Sequence, residues 1–334
     1  MLANVWQNVN NIQTIYVIIL LAFGLKIYGQ NNLKTRENYS NTIESLNIKI
    51  ISSKVKIERF YNPNNEYEIL NDLIVLSDPD KEKSTLFIWP EGIITSTNLN
   101  EIKRFKDLFN SNFSEKHLII FGINDVQNKN NLEIYNTLAV FNNNLDIIDY
   151  YHKIKLVPFG EFLPLEVFLK KIGLKTITNN YQSFSNGKEQ KIISINNLDF
   201  NLKFLPLICY EIIYSGKLSK FSNFDFIINI SEDGWFGDSI GPHQHFAHSI
   251  FRSIEEGKNI IRSTNNGTSA LINTKGETLH KIESTQSGVI NIKKLNKASN
   301  TLFSQKGNNM FFYLLAFYIS LIFFLKKIKN RETK

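Results

Sequence analysis

Short apolar, β-rich runs recur along the middle of the chain at Ile48–Ile51, Leu86–Trp89, Leu118–Phe121, Leu138–Phe141, Phe204–Ile208, Phe224–Ile230, Thr268–Ile272 and Val289–Ile292. Between several of them lie stretches with helical spacing of apolar positions, for instance Asn64–Ser77, Asn100–Asn110 and His243–Gly257. Period-two and continuous apolar runs predict strands, and the 3.6 period predicts helices. Their alternation predicts an α/β domain over roughly residues 45–300, with a sheet covered by helices. Lys170–Ile193 has little periodicity and several Asn, Ser and Gly. It reads as a long surface excursion, a kind of segment that is often functional. No repeat of solenoid length is present.

The two ends follow a different pattern. Met310–Leu325 is a run of sixteen uncharged, almost wholly apolar residues, and Lys326 and Lys327 follow at once. Spanning helices need about 17–25 residues, and the two lysines extend the reach of this one by snorkelling. A transmembrane helix is expected over 308–326, with the basic tail 327–334 cytoplasmic by the positive-inside rule. The plainer alternative is a buried terminal helix. Near the start, Ile15–Leu25 is apolar until Lys26. Its length suits a signal-peptide core or an interfacial helix as well as a span. No side-chain cation precedes it, and no small-residue cleavage site is evident. Within an N-terminal segment of residues 1–30, a short membrane helix over about 14–28 is the preferred reading. With both termini inside, the middle of the chain faces the other side of the membrane.

Composition narrows the class. The 334 residues are 43% hydrophobic and 21% charged, and mean hydropathy is −0.18. A disordered chain and a polytopic membrane protein are both excluded. The single cysteine excludes a disulfide framework and a multi-cysteine metal site. Net charge is +7. Residues 326–334 carry five cations and one anion, so this short tail holds +4 of the excess. The rest is thinly spread, with no basic stripe interleaved with aromatics, and nucleic acid is not an expected partner.

Three residues sit where strand-like runs end. Cys209 follows Phe204–Ile208, Glu91 follows Leu86–Trp89 and Pro90, and Lys153 follows Tyr150-Tyr151-His152. Taken singly, each has an ordinary reading: a packed cysteine, a loop glutamate and a solvated lysine. Taken together they suggest nucleophilic catalysis. A partly desolvated carboxylate takes a thiol proton. A nearby lysine lowers the thiol pKa and donates to the oxyanion formed when a carbonyl is attacked. Glu161, after Pro158-Phe159-Gly160, is placed to orient or charge-balance such a site.

Other constellations are weaker. His243, His245 and His248 begin a helix, but only the last two share a face and no cysteine completes a zinc set. His152 offers a Cys–His dyad, without the local signature that papain-like enzymes carry around the cysteine. Asp225, Asp233 and Asp238 would suit Mg²⁺, but no phosphate-cradling glycine loop accompanies them. No metal or cofactor is expected.

With Trp89-Pro90-Glu91, Leu156-Val157-Pro158-Phe159-Gly160-Glu161, Cys209-Tyr210-Glu211 and Trp235-Phe236-Gly237-Asp238-Ser239, the chain resembles the nitrilase, or carbon–nitrogen hydrolase, superfamily. Within it the chain is similar to the apolipoprotein N-acyltransferase family. Gly241-Pro242, Gln244-His245, Arg252, Arg262 and Thr264-Asn265 extend the match, which covers roughly residues 45–325. The resemblance implies a four-layer αββα sandwich with flanking transmembrane helices. It makes Glu91 the base, Cys209 the nucleophile and Lys153 the oxyanion stabiliser, with the Tyr210 N–H as second donor. Asn136, Glu161 and Glu211 match supporting positions. Trp235 and Phe236 are either a core or rim aromatic pair or the wall of an acyl pocket.

The implied reaction is ping-pong. Cys209 takes an acyl chain from a phospholipid as a thioester. The α-amine of a diacylglyceryl-modified apolipoprotein cysteine then accepts it. The setting is the lipid bilayer of a bacterial inner membrane, with the catalytic domain periplasmic.

The sequence departs from the family pattern at several places. Family members carry more N-terminal membrane helices, so either the lineage dispenses with them, another chain supplies them, or this sequence begins late. Gly92 stands where serine is common, and Lys155 where histidine is. Glu232 and Gly234 alter the usual Asn-Asp-Ala. No tryptophan occupies the first loop, where Phe60 or Tyr61 takes its place. Two rival functions share these features: a hydrolase of small amides, and a catalytically idle, membrane-tethered module that binds lipoproteins.

Overall fold

The computed structural model describes residues 12–38, 41–43, 47–61, 65–128, 132–164, 183–196, 200–216, 218, 223–297 and 300–332. The first part of the chain holds α1 (Ile12–Asn38), β1 (Asn41–Ile43), β2 (Ile48–Ser52), α2 (Glu66–Ser77), β3 (Thr85–Ile88), α3 (Lys106–Asn112), β4 (His117–Asn128), β5 (Leu132–Phe141) and β6 (Ile147–His152). The second holds β7 (Ile193–Asn196), β8 (Asn201–Ile208), β9 (Phe226–Glu232), α4 (Gly241–Glu256), β10 (Asn259–Asn265), β11 (Ser269–Ile272), β12 (Thr278–Ile282), β13 (Gly288–Ile292), β14 (Leu295–Lys297), α5 (Leu302–Lys306) and α6 (Asn309–Glu332). Most of the Lys170–Ile193 excursion, residues 170–182, lies outside the described residues, as do residues 1–11 and 333–334 of the terminal segments.

The two sheets that the family resemblance implies are present. Six strands in the order β13-β2-β3-β4-β5-β6 form the first, and six in the order β12-β11-β10-β9-β8-β7 form the second. Both are built alike. Three central strands run parallel, β2-β3-β4 in one and β8-β9-β10 in the other. Antiparallel strands complete the edges. A separate pair joins β1 to β14.

Side-chain alternation along each strand explains the layering. Leu86 and Ile88 of β3, with Phe226, Ile228 and Ile230 of β9, enter the core between the sheets. Phe87 of β3 points the other way, into a layer with Leu70, Leu73 and Ile74 of α2 and Leu108 and Phe109 of α3. Leu205, Leu207 and Ile227 face α4, where Phe246 and Ile250 pack. Strands covered on both sides read as near-continuous apolar runs, which is why β3, β8 and β9 stand out in the sequence. The result is a four-layer αββα arrangement.

A polar seam locks the sheets together near the carboxyl ends of the parallel strands. Ser263 Oγ on β10 donates to the Ile51 and Ile88 carbonyls at 2.7 and 3.1 Å, and Ser53 Oγ donates to Asn265 Oδ1 at 2.7 Å. β10 has no apolar signature because Asn259, Arg262, Ser263, Thr264 and Asn265 interrupt it, yet all seven of its residues are buried. The helix expected over Asn100–Asn110 divides into a 3₁₀ turn, Ile102–Phe105, and α3.

The expected transmembrane helices are not borne out by the geometry. Among the described residues no helix is long and apolar enough to cross a membrane. The apolar run in α1 breaks at Lys26. The sixteen uncharged residues of α6 rise only ~24 Å at 1.5 Å each, against a hydrocarbon core of about 30 Å. Both helices nevertheless expose large apolar side chains, among them Leu20 and Phe23 on α1 and Phe311 and Phe323 on α6.

Candidate active site

Glu91, Lys153, Glu161 and Cys209 come together where the two sheets meet. Glu91 leaves the middle parallel strand of the first sheet. Trp89 anchors that exit from the outer layer, its Nε1 donating to Ser77 Oγ at 2.8 Å among Phe109, Phe113 and Phe121. The indole therefore belongs to the outer layer and not to the site. Asn136 Nδ2 on β5 donates to Glu91 Oε1 at 2.7 Å and to Glu161 Oε1 at 2.8 Å, so one amide bridges two carboxylates. The Glu232 N–H donates to Glu91 Oε2 at 2.9 Å.

Lys153, directly after β6, is 1% exposed. Its Nζ donates to Glu161 Oε1 at 2.9 Å and lies 3.6 Å from Glu91 Oε1. The Val157 N–H holds the other Glu161 oxygen at 2.9 Å. A lone ammonium thus sits between two buried carboxylates. Burial pulls the Lys153 pKa down, but Glu161 and Glu91 outweigh it and the pKa rises. Burial and Glu161 push the Glu91 carboxyl up, against Lys153, Asn136 and the Glu232 N–H.

Cys209 comes from the second sheet, at the end of β8. It opens a 3₁₀ turn, Cys209–Ile213, with φ 48°. A non-glycine residue in this region costs of order 1–3 kcal/mol and persists only where its surroundings impose it. Burial raises the thiol pKa; Glu91 adds to the rise, and Lys153 and Ser231 oppose it. The resting thiol therefore keeps its proton, and attack needs a base rather than a preformed thiolate.

Glu211 ties the two sides together. Oε1 accepts from the Tyr151 hydroxyl at 2.8 Å and from the Ile154 and Lys155 N–H groups at 2.8 and 3.1 Å, and Oε2 accepts from the Ile208 N–H at 2.9 Å. It clamps the Lys153 loop to the cysteine turn.

A cavity of about 100 Å³ beside Glu91 is lined by Phe60, Asn136, Glu161, Phe184 and Trp235, among others. Phe60 and Trp235 pack with centroids 4.7 Å apart and ring planes tilted by 49°. Tyr61, by contrast, is exposed. Gly92 has φ +58°, and a Cβ there would lie 2.9 Å from Phe60 Cζ, which accounts for glycine at this position. Phe236 does not line the cavity and packs 5.5 Å from the His245 ring.

The rival constellations do not assemble. His152 pairs with Asp125 at 3.0 Å and stacks on Tyr135. Asp225 pairs with Lys297 and Asp233 with Arg262, so the three aspartates do not converge. His245 is buried against Asp233 rather than displayed on a polar helix face. Among the described residues no group of His, Cys, Asp and Glu is placed to hold a metal ion.

Sequence reasoning missed Arg59. It meets the buried Glu232 carboxylate and also donates to the Gly92 carbonyl at 2.8 Å. This pair stands behind Glu91. An arginine beside Phe60, and a glutamate closing the apolar run of β9, were the available signals.

Gly122 of β4 passes directly beneath Glu91. A Cβ there would lie 2.7 Å from the Glu91 Cα and 2.9 Å from the Gly92 N. These are backbone atoms, so Glu91 must move. Gly122→Ala is expected to lower the rate of Cys209 acylation by roughly 10–100-fold, the cost of a misplacement near 1 Å. Single-turnover kinetics on folded protein check this, and an unchanged rate would contradict it.

Paired α/β sheets with these groups at their strand ends define a class. The chain belongs to the carbon–nitrogen hydrolase family, which it matches over residues 32–295. More particularly, it is similar to proteins named apolipoprotein N-acyltransferase. The one from Wigglesworthia glossinidia brevipalpis is 31% identical over 324 residues, 93% of this chain and 62% of that protein. The one from Rickettsia prowazekii (strain Madrid E) is 33% identical over 252 residues, 72% of this chain and 49% of that protein. The chain thus spans less than two thirds of the length of either. Among solved structures, an amidase from Nesterenkonia sp. superposes with a TM-score of 0.51 at 11% identity, covering 76% of this chain and 91% of that one. Glutamine-dependent NAD+ synthetase from Acinetobacter baumannii gives 0.52 at 17%, covering 78% and 48%. These two likenesses concern the fold.

Proposed function

We propose that this chain is an N-acyltransferase that moves a fatty acyl group from a phospholipid to the α-amine of the S-diacylglyceryl-cysteine of apolipoproteins. The observation carrying it is the convergence of Glu91, Lys153 and Cys209 in one buried site, in a chain that aligns over nearly its whole length with a named N-acyltransferase.

The chemistry follows from the site. As Cys209 attacks the ester carbonyl, its proton passes to Glu91 and a C–S bond forms. Lys153 and the Tyr210 N–H receive the oxyanion, each such donor lowering the barrier by about 3–4 kcal/mol. The C–O bond then breaks, and the lysophospholipid oxygen leaves with the proton from Glu91. In the second half, the amine attacks the thioester, Glu91 takes the amine proton, and the thiolate departs and is reprotonated. Asn136, Glu161 and Glu211 hold these groups in place.

The terminal regions, about 14–28 and 308–326, flank a catalytic domain over 45–300. Their exposed apolar side chains are unfavourable in water and go to lipid. On this reading the chain sits on the bacterial inner membrane, held there by its terminal helices, with its catalytic domain on the periplasmic face. Trp235 and Phe60, which line the cavity beside Glu91, form the acyl-pocket wall on this reading.

The cavity of about 100 Å³ favours a second reading, hydrolysis of small amides. One experiment separates the two. The detergent-purified chain is incubated with phospholipid, and its intact mass is read before and after hydroxylamine. A fatty-acyl adduct that hydroxylamine removes, that Cys209→Ala lacks, and that appears together with lysophospholipid is the expected result. Amide cleavage with no adduct would favour the hydrolase. Wild-type behaviour of Cys209→Ala would favour a lipoprotein-binding module without catalysis.

A further inference from the structure

The carbonyl of Cys209 is held as firmly as its neighbours. His245 Nε2 on α4 lies 3.1 Å from the Cys209 carbonyl oxygen. A carbonyl oxygen only accepts, so Nε2 donates to it in the Nε2–H tautomer, in which Nδ1 accepts from Arg262, and in the charged ring. The other ring nitrogen is fixed too: Nδ1 lies 2.9 Å from Asp233 Oδ1 and 3.1 Å from Arg262 Nη2. Ser231 Oγ donates to Asp233 Oδ1 at 2.7 Å, and Arg262 Nη2 donates to Asp233 Oδ2 at 2.8 Å. Arg262 also donates to Asn229 and to the Thr268 carbonyl. Asp233 and Arg262 are fully buried, and His245 nearly so. The acyl-transfer steps above use none of the three.

We propose that His245, braced by Asp233 and Arg262, is a positioning residue that sets the Cys209–Tyr210 peptide plane and so aims the Tyr210 N–H at the oxyanion. In a trans peptide the C=O and the following N–H point in opposite directions. With the carbonyl drawn toward α4, the N–H faces away from α4, toward the Glu91 and Lys153 side. That N–H belongs to the first turn of a short helix, where no intrahelical acceptor exists. The left-handed conformation of Cys209 supplies the need for a clamp, since the backbone leaves it unless held. Glu211 holds the strand side through the Ile208 N–H, and His245 holds the far side.

This inference rests on the reading of Cys209 as nucleophile, and the test keeps the two apart. Full-length wild type, His245→Leu, His245→Gln and Cys209→Ala are compared in two reactions of the same thiol. In the first, a p-nitrophenyl alkanoate acylates Cys209. The thiol proton goes to Glu91, the C–S bond forms and p-nitrophenolate leaves, through a tetrahedral oxyanion. In the second, iodoacetamide alkylates Cys209: the thiol proton again goes to Glu91, the C–S bond forms and iodide leaves, with no oxyanion.

His245→Leu is expected to slow acylation by roughly 10–100-fold, part of the cost of losing an oxyanion donor. Alkylation is expected to change by no more than about twofold, because it draws on no transition-state contact of the oxyanion kind. His245→Gln, whose side-chain amide donates from nearly the same place, recovers most of the acylation rate. Parallel losses in both reactions would make the histidine a mere support of the fold and overturn the proposal. So would undiminished acylation in His245→Leu, or a glutamine variant no better than leucine. Undiminished acylation in Cys209→Ala would instead remove the nucleophile reading, and this inference with it.

Discussion

Glu91→Gln is expected to slow Cys209 acylation on the order of 10³-fold, within the usual contribution of a general base. The thiol is held protonated by burial and by Glu91 itself, so there is no reserve of thiolate to attack without the base. The side chain keeps its length. Its amide nitrogen must face either the Asn136 amide or the Glu232 N–H, both donors, which costs roughly 1 kcal/mol of stability and leaves the fold intact.

The pH profile carries the same assignment. Only the carboxylate form of Glu91 accepts a proton, and burial raises its pKa above the ordinary 4.5. Wild-type activity is therefore lost as pH falls through that raised value, on a limb lying above 4.5. The residual rate of Glu91→Gln lacks this limb. On the alkaline side, Lys153 is raised above 10.5 and stays charged, so no loss from it appears below that pH. Single-turnover acylation across pH reads both features. A wild-type limb at or below 4.5, or the same limb in Glu91→Gln, would remove Glu91 from the role of base.

Arg262→Leu is expected to cost about 3–5 kcal/mol of stability, read from urea unfolding, because it strands a buried carboxylate. Arg262 is wholly enclosed and donates to Asp233, Asn229 and the Thr268 carbonyl, so none of its partners finds water in its absence. Adding Asp233→Asn should return part of the loss, since the stranded charge is then gone. A cost below about 1 kcal/mol would mean the network relaxes as an exposed pair does.

The sign with pH follows from Asp233. Burial alone would raise its carboxyl, but Arg262 and His245 hold it down at about 2, below its ordinary 3.8. Its stabilising contribution is fully present above 3.8 and is lost as pH falls toward 2. In Arg262→Leu the main cause of that depression is absent, and the acid-side decline of stability over this window should flatten.

The sequence alone determined the parts whose cause is local. Strands buried on both faces must be continuously apolar, so β3, β8 and β9 were visible as runs. Pro90 after one run, and the polar residues that follow the others, placed Glu91, Lys153 and Cys209 at strand ends from the order of residues alone. Partnership between distant residues leaves no such trace. That the runs form two facing sheets, that β10 is a buried strand despite its Arg, Ser, Thr and Asn, that Arg59 stands behind Glu232, and that His245 braces the Cys209 carbonyl were all decided by tertiary structure. A polar residue is spelled the same way whether water or a buried partner satisfies it. Burying Arg262 became affordable only once Asp233, Asn229 and Thr268 converged from other elements. The terminal helices show the converse: their apolar character, and the lysines at 26, 326 and 327 that bound its length, were legible locally.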